Sequence, residues 1–168
     1  MEKEEVIKIA VESVRQYDIK KKKARHDRRL YNTRQLMKNY TMLISHCEES
    51  ISSVNNIQES DNPIDILDSI DDLDQDTYIE SIKRSNTRTY IIMAHVTEML
   101  ELLKIYFERT DNERKYRILY NHYVEGDSLS EIAAREHIDQ RTSYRDINFA
   151  IEKLSALIFG VDGLALMS

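Results

Sequence analysis

The stretch SEIAAREHIDQRTSYRDI, residues 130–147, decides how this sequence is read. Its pattern is that of two short helices joined by a tight turn, the second carrying arginines. Ser128 and Glu131 form an S-x-x-E capping box, opening a helix with Leu129, Ile132 and Ala133 on its apolar side. Ile138 follows the turn. Asp139 is a natural N-cap for the next helix, because its carboxylate can accept the unpaired amide protons of the first turn. At about 100° per residue, Ser143, Ile147, Ile151, Leu154 and Ile158 share one face, which predicts the buried stripe. Arg141, Thr142, Arg145, Asn148 and Phe149 then point outward, with Tyr144 at the edge and Gly160 as the C-cap. Long donors of this kind suit guanine edges and phosphates, and Asn148 suits adenine or a phosphate. A hairpin with only a structural role more often shows mixed Glu and Lys there.

Upstream, Tyr116, Leu119, Tyr120 and Tyr123 fall at i, i+3, i+4 and i+7, a helix that Gly126 ends. Before it, Thr77 and Glu80 make a second capping box, predicting the longest helix of the chain. Ile79, Ile82, Asn86, Thr89, Met93, Val96, Leu100, Leu103 and Phe107 keep one register along it, and Ile92, Met99, Leu102 and Tyr106 widen the apolar face. A face this broad suits a helical bundle better than a two-stranded coiled coil. Asn86, polar on that seam, either sets register in a homodimer or makes a contact within the chain.

Nearer the start, Val6, Ala10, Val14 and Tyr17 predict an amphipathic helix from residue 3 to about 19. KKKKARHDRR (20–29) follows, with seven Lys or Arg in ten positions. Leu30, Thr33, Met37, Tyr40, Ile44, Cys47 and Ile51 predict a second helix with one buried stripe. Cys47 on that stripe reads as a core thiol, and His46 as solvent-facing. Residues 52–76 read as an acidic linker holding one short helix. Asn62 and Pro63 open that helix, with Ile64, Leu67 and Ile70 inward.

Three glycines and one proline in 168 residues leave little for a turn-dense β architecture. The expectation is therefore an all-α fold. Residues 1–110 form a long-helix N-terminal bundle, and residues 111–168 form a C-terminal helix-turn-helix unit. YIIMA (90–94) is the longest apolar run, far short of a membrane span, and the acidic start lacks a signal-peptide block. A cytoplasmic protein with no membrane partner is expected. The net charge of −6 conceals an uneven distribution. Residues 39–82 hold eleven acidic side chains and no Lys or Arg, and the remainder is basic. The basic stretch reads either as a source of non-specific DNA affinity or as a solvated junction. The acidic segment 48–76 reads either as a DNA mimic or docking surface, or as a plain linker.

LYNHYVEGDSLSEIAAREHIDQRTSYRDI (119–147) resembles the helix-turn-helix of sigma-factor region four, and RTSYRDIN is similar to phage transcription regulators of the ArpU/RinA type. The resemblance covers about residues 112–160. It implies a phage or prophage late-gene activator that binds double-stranded DNA through Gln140, Arg141, Thr142, Tyr144 and Arg145, to which the reading above adds Asn148. The family's turn carries glycine where this chain has His137, which tolerates positive φ better than most residues. It carries an apolar residue where this chain has Ser143, and Tyr144 is expected to lean inward in compensation.

A divergent sigma factor or RNA polymerase accessory protein is the second reading, although no tryptophan-bearing polymerase-binding region is present. A helical interaction protein that does not bind DNA is the third. An enzyme is not expected, and neither is a cofactor or metal. Histidines 26, 46, 95, 122 and 137 are scattered, no Gly-rich phosphate loop occurs, and SIDDLDQD (69–76) lacks the glycine and glutamate of a calcium loop.

Overall fold

With no proline or glycine before Pro63, nothing in the first sixty residues forces an early end to a helix. The computed structural model describes residues 2–50, 62–69, 75–83 and 86–160, and these form eight helices and no strand. The first helix, α1 (Lys3–Lys38), is the longest of them at 36 residues. The expected division near residue 19 is absent, and the basic stretch lies in mid-helix. The stripe Val6, Ala10, Val14 and Tyr17 is helical as expected but uncovered, since every residue from 2 to 25 is exposed.

Asn39 ends α1, its backbone N–H and side-chain Nδ2 both donating to the Gln35 carbonyl at 3.2 and 2.9 Å. α2 (Tyr40–Ser50) follows at once. The stripe expected on one helix therefore straddles two. Thr33 and Met37 are buried on α1, Cys47 is buried on α2, and Leu30, Tyr40 and Ile44 pack against the same core. Ile51 lies outside the described residues. Burial pushes the Cys47 thiol above its ordinary pKa, and His46 is half-buried rather than solvent-facing. α3 (Pro63–Ser69) starts as expected, with Asn62 Oδ1 accepting the Ile64 N–H at 2.9 Å and Leu67 buried. Ile70, like most of the acidic linker, lies outside the described residues.

The long helix expected from Thr77 is two helices, α4 (Gln75–Lys83) and α5 (Asn86–Arg109). Helix α4 starts at Gln75, so Thr77 stands inside it rather than at its cap. Asn86 is exposed at the start of α5 and not on a buried seam. Thr89 Oγ1 donates to the Ile82 carbonyl at 2.9 Å, tying the two helices together. The rest of the predicted stripe, Ile79, Ile82, Thr89, Met93, Val96, Leu100, Leu103 and Phe107, is buried along with Ile92, whereas Leu102 and Tyr106 are exposed.

Three helices complete the chain: α6 (Glu113–Tyr123), α7 (Leu129–Arg135) and α8 (Gln140–Phe159). The main core draws side chains from both sides of residue 110, from Leu36 and Met37 through the α5 stripe to Leu119, Ile151, Leu154, Ile158 and Phe159. Helix α8 packs against α1, α5, α6 and α7. No described helix is long and apolar enough to cross a membrane.

Candidate nucleic-acid interface

Ile118 of α6, Ile132 of α7 and Ile147 of α8 form a second, smaller core, with Leu129, Ile138 and Tyr123 packed around it. Helix α7 opens on the predicted capping box: Ser128 Oγ accepts the Glu131 N–H at 3.2 Å, and Glu131 Oε2 accepts the Ser128 N–H at 3.3 Å. Its C-terminal end closes with two backbone bonds, Ile138 N–H to the Ala133 carbonyl at 3.0 Å and His137 N–H to the Ala134 carbonyl at 3.3 Å. This is the Schellman arrangement, which needs a left-handed residue at the second position past the helix. His137 supplies it, with φ +56. Asp139 then caps α8, its Oδ1 accepting the Thr142 N–H at 2.6 Å. The Thr142 bond, helped by the charges of Arg141 and Arg145, holds the Asp139 carboxyl below its ordinary pKa.

Three ion pairs fix the unit, and the sequence reading named none of them. Arg117 of α6 donates from Nε and Nη2 to both carboxylate oxygens of Glu136, each at 2.8 Å. Those bonds hold the Glu136 carboxyl below its ordinary pKa and raise that of Arg117. Arg114 Nε donates to Asp146 Oδ2 at 2.8 Å, and Arg135 pairs with Asp127. Asp146 is buried, on the same side of α8 as Ser143 and Ile147. A carboxylate on a buried face needs a cation nearby, and that was the available sequence signal. His122 and His95 also serve structure: His122 Nδ1 bonds the Asp127 carbonyl at 2.9 Å, and His95 Nε2 bonds the Ile158 carbonyl at 2.8 Å.

The two halves of α8 differ. Ser143, Ile147, Ile151, Leu154 and Ile158 are all buried, as the spacing predicts. In the last two turns Ser155, Ala156 and Phe159 are buried as well, so the helix is enclosed there. His95 satisfies one of its terminal carbonyls, and the Arg29 guanidinium lies 5.2 Å from the centroid of the Phe159 ring. Arg29 is thus a core residue rather than part of an exposed basic surface.

The N-terminal half presents an open face. Gln140, Arg141, Tyr144, Arg145 and Asn148 are exposed on it, and Thr142 is half-buried at its margin. Tyr144, 56% exposed, does not lean inward. The polar Ser143 is accommodated instead by donating its hydroxyl to the Gln140 carbonyl at 2.7 Å. Phe149 lies lower on the helix, 6.2 Å from Phe107, with the Lys115 and Lys153 ammonium groups 5.3 and 5.2 Å from its ring centroid. It belongs to the packing at the base of the face. Arg114, Arg117 and Arg135 each hold a carboxylate, whereas Arg141 and Arg145 are hydrogen-bonded to none among the described residues. The first turn of α8 carries no acidic residue. A cation there opposes the helix dipole and works slightly against stability.

No protein-family model matches this chain, no curated protein matches it, and no solved structure matches it.

Proposed function

We propose that this chain is a sequence-specific DNA-binding transcription regulator in which α7 and α8 act as a helix-turn-helix. One observation carries the reading: Arg141 and Arg145, one turn apart, stand on an exposed face of a helix whose other half is locked in the core. Guanidinium groups that bond no carboxylate among the described residues, on a rigid and capped helix end, match what guanine O6/N7 edges and phosphates require. Gln140 and Asn148 at the margins suit adenine or phosphate, and Tyr144 suits phosphate. Placing Arg141 where the helix dipole disfavours it makes sense if a polyanion binds there. The narrower form, a phage late-gene activator of the ArpU/RinA type, is supported by the resemblance over residues 112–160.

The test is selection of bound duplexes from a random-sequence pool by the full chain. The expected result is an enriched motif whose affinity falls steeply with salt, as phosphate contacts require. A pool that leaves the selection unchanged in composition contradicts the proposal. Retention of core RNA polymerase together with promoter-directed transcription, in the absence of another sigma factor, favours the sigma-factor reading instead.

A further inference from the structure

The first two-thirds of α1 form an arm that contributes no side chain to either core and none to the open face of α8. It projects for roughly 35 Å at 1.5 Å per residue, and every residue from 2 to 25 is exposed. Most of its apolar side chains nevertheless gather on one side. At about 100° per residue, Val6, Ile7, Ala10, Val11, Val14 and Tyr17 fall within one stripe that Asp18 closes, with Lys8, Glu12, Arg15 and Gln16 opposite beside Ile9 and Ile19. Val6, Ile7, Val11, Val14 and Tyr17 are each between 50% and 65% exposed. Helices in proteins owe most of their stability to packing such a face, and no described residue of the chain covers this one.

We infer that a second copy of the chain covers this stripe, the two arms pairing antiparallel about a two-fold axis near residue 13. The charges on the arm select both the occupant and the direction. Glu2, Glu4 and Glu5 stand before the apolar run and Lys20, Lys22 and Lys23 after it, with Lys3 and Lys21 on the line of the stripe at its two ends. Each acid is followed 18 positions later by a lysine, which is about five full helical turns, so every such pair lies on one side of the helix. Glu4 and Lys22 flank the same edge of the stripe. In an antiparallel two-fold pair like edges meet, and Glu4 of each arm approaches Lys22 of the other. A parallel pair would instead set the lysine rows of both copies side by side, the like-charge arrangement that costs association. A self-complementary patch of this kind is what an isologous dimer requires. DNA is the poorer occupant, because three acids at the tip would repel it. This inference is independent of the DNA-binding proposal.

Sedimentation equilibrium of the full chain tests it. At about 50 mM salt the expected mass is twice the 19.9 kDa of one chain, and association weakens at about 500 mM as the charges are screened. Val14→Glu should raise the dimer dissociation constant by roughly 100-fold or more, the effect of an unpaired charge in an apolar seam. The melting temperature of the bundle should be unchanged, because Val14 is 62% exposed and lies outside the core of the described residues. Direction is read by mild oxidation in a Cys47→Ala background, where a Lys3→Cys chain should cross-link to a Lys21→Cys chain, both on the line of the stripe, and not to itself. A monomer at low salt, a Val14→Glu chain that still dimerises, or Lys3→Cys chains that cross-link only to each other would each overturn the inference.

Discussion

His137 sits in the left-handed region at φ +56, in the one turn that aims α8. A side chain there costs on the order of 1 kcal/mol relative to glycine. His137→Gly should therefore raise thermal stability by about 0.5–1 kcal/mol without changing DNA binding, checked by denaturant melts in parallel with binding. Glu136, the residue before it, clamps the same turn through the two bonds from Arg117. Its carboxyl is held below the ordinary glutamate value, so the stabilisation is complete above that value and fades as pH falls through the depressed one. Thermal melts across the acid range should lose part of their pH dependence in Glu136→Gln, and an unchanged profile would show that the pair is not coupled to folding. At this scale the sequence was legible mainly where a residue acts on its neighbours, although Thr77, read as a cap, lies inside α4. The Ser128 and Asp139 caps and the strained turn residue all follow from local backbone chemistry. Pairs such as Arg114 with Asp146, 32 positions apart, do not, because no local pattern names a partner on another helix.

Helix faces were legible from periodicity, and helix ends only where a capping chemistry marked them. The register Leu30 to Cys47 holds across the break at Asn39, and that of Ile79 to Phe107 holds across the gap between α4 and α5. A stripe of constant spacing therefore does not prove one helix. It shows only that successive segments turn toward the same core. Basic residues 20–23 break nothing, since lysine is a good helix former. Helix α8 shows what one element gains from being built in two halves, with the enclosed half fixing the direction in which the open half points. Ile147 stands where the halves meet, in the small core with Ile118 and Ile132. Ile147→Ala should cost roughly 2–5 kcal/mol through the cavity it leaves. The loss is expected first in α6 and α7, because Leu154 and Ile158 keep the far end of α8 in the main core. Hydrogen exchange resolves this. Faster exchange confined to α6, α7 and the first turns of α8 is the predicted pattern, and uniform loss across α5 would contradict it.

At the scale of the whole molecule, the charge is sorted along the chain rather than balanced. The acids crowd residues 39–82, while the arginine-bearing face of α8 lies beyond them. Composition made that separation visible, but it gave no hint that α8 would be anchored by His95 of α5 and stacked on by Arg29 of α1. Periodicity says that a face is buried and is silent on what buries it. The outcome is a helix end held in place from outside its own three-helix unit, with its exposed donors presented on a fixed base. Binding of Arg141→Ala and Arg145→Ala to the selected duplex, beside the unmodified chain and with melting curves for each, tests that account most directly. Each substitution should weaken binding by about 1–3 kcal/mol and relax the preference at one base position. The melting curves should stay within about 0.5 kcal/mol of the unmodified chain, as exposed substitutions do. If both variants bind that duplex as tightly as the unmodified chain, the open face of α8 does not read DNA.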